Sequence, residues 1–288
     1  MDFFEAIEVV KRDWLGHVRV TQDDVSPSML RRISAMLDLD PDAFPRGAKL
    51  PPHWFSLFCC DSARQGELGP DGHPNKGVIL PPIPLPRRMG AGRRVRIPGA
   101  LHVGDALVKK SEVAAIEPKQ ARTGLLCVLT LRNTFEVNGE TVAVDEFDAV
   151  YREAVPVGTK SPVNEGTPAP AEAAWSERKH LPPTLIFRYS AVTWNAHRIH
   201  YDADYARTEE GYPATVENGG LTMQLLLDAA VKNAPGHRLV GLGARLTRPI
   251  YVGDTITLAG TGLKDGRMDA WVADHAGKLC AQMELEFA

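Results

Sequence analysis

The sequence is poor in cysteine, in aromatic residues and in unbroken apolar runs, and it carries no large excess of one charge. Its four Cys show no CxxC spacing, and Cys59 and Cys60 are adjacent. That suits neither a disulfide framework nor a zinc site, and reduced, buried thiols in a cytoplasmic protein are expected. The most apolar stretch, residues 221–231, is interrupted by Gln224 and Asp228 and falls far short of the ~18 residues that signal a membrane span. The opening Met1-Asp2-Phe3-Phe4-Glu5 places acids where a secretory leader carries bases, so export is not expected. Lys and Arg number 33 against 36 Asp and Glu, a formal charge of −3. No global basic field exists, which argues against a nucleic-acid partner while leaving room for local basic patches. At 44% hydrophobic and 24% charged residues, the chain has enough apolar material to bury a core.

At ~100 to 200 residues per domain, the length allows one large domain or two small ones. An internal echo chooses between them. Leu101-His102-Val103-Gly104-Asp105 recurs as Ile250-Tyr251-Val252-Gly253-Asp254, with the two glycines 149 positions apart. A basic segment containing Pro precedes each copy, and strand-like material follows. In the first half this is 125–131, 135–137, an Asn138-Gly139 turn and 141–144; in the second, 255–258, 271–273, a turn at Ala276-Gly277 and 279–287. Asn-Gly between apolar runs is a strong hairpin signal.

Upstream of each strand set lies a helical candidate. Residues 221–230 are apolar nearly all round, the mark of a buried helix. Pro52-His53-Trp54-Phe55-Ser56-Leu57-Phe58-Cys59-Cys60 holds the equivalent place in the first half, its prolines suited to a first turn. The order predicts an α+β fold in which a curved antiparallel sheet wraps a buried helix, done twice. The repeats are expected at 1–154 and 175–288, with 155–174, rich in Pro, Gly and Ala, as the linker.

Three segments carry chemistry. In Thr193-Trp194-Asn195-Ala196-His197-Arg198-Ile199-His200-Tyr201-Asp202, two His at i and i+3 and a nearby Asn group polar side chains within one or two turns. Such His can exchange protons near neutral pH or make ordinary hydrogen bonds; a metal reading with His197, His200 and Asp202 lacks an evident fourth ligand. In Val216-Glu217-Asn218-Gly219-Gly220-Leu221, which opens the buried helix, free backbone N–H groups can hold a developing negative charge, or the Asn can act as a plain cap before glycines that allow close packing. The third runs from Leu68-Gly69-Pro70-Asp71-Gly72-His73-Pro74-Asn75-Lys76-Gly77 through the proline run at 81–86 to Arg87, Arg88, Arg93, Arg94 and Arg96. The prolines suit a rigid surface connection or a polyproline ligand, and the Arg cluster either a solvated rim or a grip on phosphates or carboxylates.

Taken together, the 68–74 and 80–89 stretches, Asp148-Ala149-Val150-Tyr151-Arg152-Glu153 and Asn195-Ala196-His197-Arg198-Ile199-His200-Tyr201-Asp202 resemble the MaoC-like (R)-specific enoyl-CoA hydratases and 3-hydroxyacyl-thioester dehydratases. The similarity is to their FAS1-like dehydratase branch, which includes mesaconyl-CoA hydratases. The resemblance implies a double hotdog fold and a hydro-lyase of fatty acid metabolism acting on a 2,3-enoyl or 3-hydroxyacyl-CoA thioester, with a branched or dicarboxylic acyl group within its range.

The family's Asp-x-x-x-x-His spacing falls on Asn195 and His200. It implies His200 as acid/base held by Asn195, which also orients the water or thioester, with the Gly219 N–H as oxyanion donor. Glu217-Asn218-Gly219-Gly220 departs from the family's more usual Val-His-Gly-Pro. His197, Asn218, Arg87, Arg88, Arg93 and Trp54 are implied as substrate-binding residues. Phe55 and Phe58 join Trp54 in lining an acyl pocket supplied by a first repeat that is itself non-catalytic. No metal and no cofactor beyond the coenzyme A of the substrate are implied, and a homodimer is expected. A hotdog thioesterase and a non-catalytic acyl-thioester-binding protein are the alternatives.

Overall fold

The computed structural model describes residues 1–121, 124–154 and 166–288; positions 155–165 of the expected linker lie outside them. The first half runs α1 (Phe3–Trp14), β1 (Val18–Asp24), α2 (Pro27–Met36), β2 (Arg87–Arg96), β3 (Ala106–Ala121), β4 (Gly124–Val137) and β5 (Glu140–Arg152). The second runs β6 (Trp175–His180), α3 (Pro183–Val192), α4 (Ala203–Thr208), α5 (Gly219–Lys232), β7 (Leu239–Leu246), β8 (Thr255–Gly260), β9 (Arg267–Ala273) and β10 (Leu279–Phe287). All ten strands join one antiparallel sheet in the order β1-β3-β4-β5-β2-β7-β10-β9-β8-β6. Five neighbouring strands thus come from each half. The seam is β2 against β7, from Arg93 opposite Ala244 to Arg96 opposite Gly241.

The sequence echo is a structural one. Gly104 N–H donates to Val25 O as Gly253 N–H donates to Leu181 O, and Val25 and Leu181 return the bond to Asp105 O and Asp254 O. Both glycines take positive φ, 103° and 95°, which a side chain would strain. Asn138 and Gly139 also both have positive φ, the backbone of the tight hairpin expected there. The segment expected as two strands between 125 and 137 is one continuous strand, β4. Its polar centre is accommodated by cross-strand partners: Arg132 pairs with Glu112 and Glu146, and Ser111 Oγ donates to Asn133 Oδ1.

The two halves differ where matching helices are expected. Val216 bridges Tyr251 as Lys49 bridges His102, and three residues on, α5 and a 3₁₀ turn at Pro52–Leu57 begin. From these equivalent starts α5 runs fourteen residues, whereas the 3₁₀ turn stops after six. Pro51 and Pro52 offer no N–H, Trp54 N–H already bonds Pro51 O, and Cys59 takes positive φ. The expected first-half helix is therefore one short turn.

One core cluster spans both halves around α5, with Trp54, Phe55, Leu57 and Phe58 packed among residues of α2, α3 and the strands. A second places Ile7 and Val10 of α1 against Ile83 and Leu85 of the proline run and Cys127, Leu129 and Tyr151 of the sheet. The proline run is thus a surface strap, with Pro82, Pro84 and Pro86 exposed and Pro81, Ile83 and Leu85 turned inward; Lys76 Nζ donates to the carbonyls of Ile83 and Leu85. All four cysteines are unpaired. No helix among the described residues is long and apolar enough to cross a membrane.

A buried polar knot ties the short turn to α5. Trp54 Nε1–H and Gln224 Nε2–H donate to the Asp228 carboxylate at 3.1 and 3.0 Å, and His53 Nε2 lies 2.8 Å from it. Removing the acceptor strands buried donors, each costing ~1–3 kcal/mol. Asp228→Ala should therefore lose ~3 kcal/mol in urea unfolding and Asp228→Asn less, since an amide oxygen still accepts. An unchanged midpoint for the alanine variant would show that the knot carries no stability.

Candidate active site

One cavity of about 1190 Å³ runs between the halves. The second half lines it with Tyr189 to Ala191 at the end of α3, Thr193 to Ala196 of the following loop, His200 and the opening of α5, Asn218 to Gly220. The first half adds Ser56, Phe58, Cys59, Cys60, Asp61, His73, Arg88, Arg93 and Lys109, among others. Phe187, Trp194 and Tyr201 lie at this cavity and are exposed aromatics, 70%, 70% and 60%.

His200 closes a single 3₁₀ turn, Arg198–His200. Its Nδ1 lies 2.8 Å from Val216 O. A carbonyl only accepts, so Nδ1 carries the proton and Nε2 is the free nitrogen. Burial holds its pKa below the ordinary value, partly countered by the Val216 bond, and His73 depresses it further. At neutral pH it is the neutral, proton-accepting form.

The sequence resemblance has Asn195 hold His200, but the structure places that task on Val216. Asn195 instead braces its own loop: its Nδ2 donates to Asn218 Oδ1 at 2.9 Å, and its Oδ1 accepts the His197 N–H at 3.0 Å. Asn218 occupies the N-cap position of α5, yet its side chain makes no cap bond; its Nδ2 reaches Ser190 Oγ at 3.1 Å. The cap is given up to crosslink α3, the loop and α5. The N–H groups of Gly219 and Gly220 have no protein partner among the described residues and stand at the positive end of the α5 dipole on the cavity wall. A Cβ on Gly220 would lie 2.4 Å from the Tyr189 hydroxyl, and one on Gly219 2.5 Å from Leu246 Cδ1.

His197 does not line the main cavity. Its ring lies between two others, 3.9 Å from His73 and 5.4 Å from His200, centroid to centroid. Burial first, then its His neighbours, pushes its pKa down to about 3. Asp202 caps α4 through Tyr205 N–H and pairs with Arg198, so His197, His200 and Asp202 do not form a ligand set.

The Arg cluster is sorted by its partners. Arg93 lines the cavity but is held by Asp145 through two bonds of 2.7 Å, and Arg94 is held by Asp148 and Glu146. Arg88 lines the cavity with no carboxylate partner among the described residues. Arg87 does not line it. Trp54, expected in the acyl pocket, is 1% exposed and belongs to the Asp228 knot; of the three aromatics read as pocket lining, only Phe58 reaches this cavity.

Two features carried no assigned role in the sequence. The first is the loop bearing Asp71 and His73. Its motif was visible, but its position across from His197 depends on the packing of the two halves. The second is Glu217, 4% exposed, whose Oε1 has no partner while Oε2 accepts a short bond from Thr222 Oγ. Burial raises its pKa from 4.5 to about 8, against the pull of the Thr222 bonds.

A carboxyl protonated in the fold and ionised in the unfolded chain contributes stability that is full below pH 4.5 and drains away as pH rises towards 8. Glu217→Gln should flatten that decline, measured as denaturation midpoint against pH. A parallel loss in both proteins would show that Glu217 ionises freely. Asn195→Asp should fold and keep activity within about tenfold, because Asn218 can turn its amide to donate while Ser190 Oγ donates in its place. A loss beyond ~100-fold would show that the Asn195 amide acts on the substrate.

The chain is 35% identical over 239 residues, 83% of its length and 84% of the relative's, to the mesaconyl-C(4)-CoA hydratase of Chloroflexus aurantiacus. Among solved structures, a MaoC-like dehydratase from Phytophthora capsici superposes with a TM-score of 0.71 at 15% identity, covering 96% of each chain. A Mycobacterium tuberculosis protein described as a double hotdog fold does so with a TM-score of 0.59 at 14% identity, covering 96% of this chain and 97% of that one. These last two speak to the fold, which is a double hotdog. Residues 53–252 match the hydroxyacyl-thioester dehydratase type 2 family, and with that match and the hydratase relative, the chain belongs to this family of MaoC-like dehydratases.

Proposed function

We propose that this protein is a hydro-lyase that adds water to, or removes it from, the 2,3 bond of an acyl-CoA thioester. The observation that carries the reading is the pairing of a neutral His200 with the N–H groups at the start of α5 on one cavity wall, its Nε2 and those N–H groups all without partners among the described residues. Water held by His200 Nε2 loses a proton as its oxygen bonds C3. The double-bond electrons move onto the thioester oxygen, where the Gly219 and Gly220 N–H groups stabilise the enolate, and a proton reaching C2 completes the addition. One such donor is typically worth ~3 kcal/mol in the transition state.

The finer substrate class we propose is an acyl group with a second carboxylate. Arg88, which has no carboxylate partner among the described residues, supports it, and the Chloroflexus aurantiacus relative is named for mesaconyl-C(4)-CoA. The unpaired thiols support a reducing, cytoplasmic setting. The edge strand β1, with Val18 and Val20 exposed, supports a homodimer. Thioester hydrolysis by a cysteine is disfavoured: burial pushes the two cavity thiols up, Cys59 to about 12 and Cys60 to about 11, which leaves little thiolate.

The test is a panel of enoyl-CoA substrates, crotonyl-CoA and mesaconyl-CoA among them, followed by enoyl absorbance and by free thiol release. Loss of the double bond without thiol supports hydration. His200→Ala should lower the rate ~100- to 10,000-fold with folding intact. Thiol release would point to a thioesterase, and no turnover on any member to a binding protein.

A further inference from the structure

Hydration moves two protons, one off the attacking water and one onto C2, and His200 serves the first. We propose, on the hydratase reading, that His73, oriented by Asp71, is the catalytic residue that serves the second, so that the first half contributes directly to the chemistry. This revises the expectation of a non-catalytic first repeat.

His73 lines the same cavity as His200. Its Nδ1 lies 3.1 Å from Asp71 Oδ2, and its backbone N–H donates to Asp71 Oδ1 at 3.0 Å. The carboxylate stays ionised: burial would raise its pKa, but the bonds from His73 bring it down to about 2. An ionised carboxylate only accepts, so Nδ1 carries a proton and Nε2 is the nitrogen left to gain and give one. A carboxylate behind Nδ1 with Nε2 free is the arrangement by which an acid/base imidazole is held in one tautomer and its charged form balanced.

The placement is built into the fold. Arg198 N–H donates to Asp71 O at 2.8 Å, and Arg198 Nη1 donates to Pro70 O at 3.0 Å, so the two loops are locked across the half-to-half boundary. Gly72 has φ 86°, and a Cβ there would lie 2.0 Å from Ala196 O; only glycine permits the approach. The His197 ring against His73 fixes its plane, and a pKa of about 3 keeps His197 itself out of proton exchange at neutral pH.

In the hydration direction, His200 Nε2 takes a proton from water as the C3–O bond forms, and protonated His73 releases its Nε2 proton as the C2–H bond forms. His200 then loses its proton and His73 regains one through solvent in the open cavity. Water is added with no net change in protons, and dehydration is the reverse.

His73→Gln should lower kcat ~100-fold or more while KM changes less than about threefold, and it should remove one limb of the kcat/KM pH profile that the wild type shows. Asp71→Asn should lower kcat about tenfold, and serves as the second variant if His73→Gln fails to fold by circular dichroism. A structural role alone would not remove a pH limb. An active His73→Gln with kcat within about threefold of wild type, or one that keeps both limbs, overturns this proposal while leaving the hydratase reading intact; wild type that hydrates no enoyl-CoA overturns both. Stoichiometric zinc in the purified protein, with activity lost to a chelator and restored by zinc, would make the Asp71, His73 and His197 cluster a metal centre and overturn it as well.

Discussion

The helix α5 is apolar on nearly its whole circumference, and Leu221, Leu226 and Ala230 are wholly buried. Such a helix gains nothing from water on any side, so it must be enclosed, and the one surface large enough to do so is the sheet of its own half together with residues of the other. Enclosure fixes where the helix can begin. Its N-terminus emerges at the boundary between the halves, with Asn218 crosslinked to α3 and to the loop after it, and with two glycine N–H groups that have no partner among the described residues. A buried helix end without partners is costly, and here the cost falls where a cavity can admit an oxygen ligand. Where an oxygen ligand can be held is a consequence of how the core closes.

Much of this was legible in the sequence because it rests on local rules. The echo of Val103-Gly104-Asp105 in Val252-Gly253-Asp254 marks two turns whose glycines need positive φ, and the Asn138-Gly139 hairpin needs the same freedom at two positions. The buried character of α5 follows from composition alone, as does the strand content after each echo. The spacing singled out His200 once the resemblance was drawn, and the structure places it on the cavity wall.

The remainder depended on distances between segments far apart in the chain. No pattern near Asn195 tells that its amide is spent on Asn218, or that Val216, sixteen residues on, holds His200. Trp54 looked like pocket lining because it is large and aromatic, yet its indole N–H needs an acceptor when buried, and Asp228 on α5 supplies one. Arg93, Arg94 and Arg88 are alike on paper; only the register of β2 against β5 shows that Asp145 and Asp148 neutralise the first two and leave Arg88 without a carboxylate among the described residues. Asp71 and His73 belong to a motif whose role the sequence leaves open, since nothing in the first half indicates which loop of the second half they will face.

The difference between the two halves explains why the walls of the cavity between them are unequal. From the equivalent start points Pro52 and Gly219, the second half continues as helix to Lys232, while the first breaks at Phe58 and Cys59. Of the residues that would continue a first-half helix, Cys59, Cys60, Asp61, Ala63 and Gln65 instead line the cavity. Shortening that helix therefore does two things at once. It empties the volume a second buried helix would fill, and it frees the chain from 61 to 86 to run along the boundary, where Gly72 passes tightly against Ala196 and the proline strap returns under α1. A symmetric pair of long helices would pack a fuller core and leave nowhere for an acyl chain. The broken symmetry gives up core in one half, and the space and the loop so released are what meet His200 across the cavity.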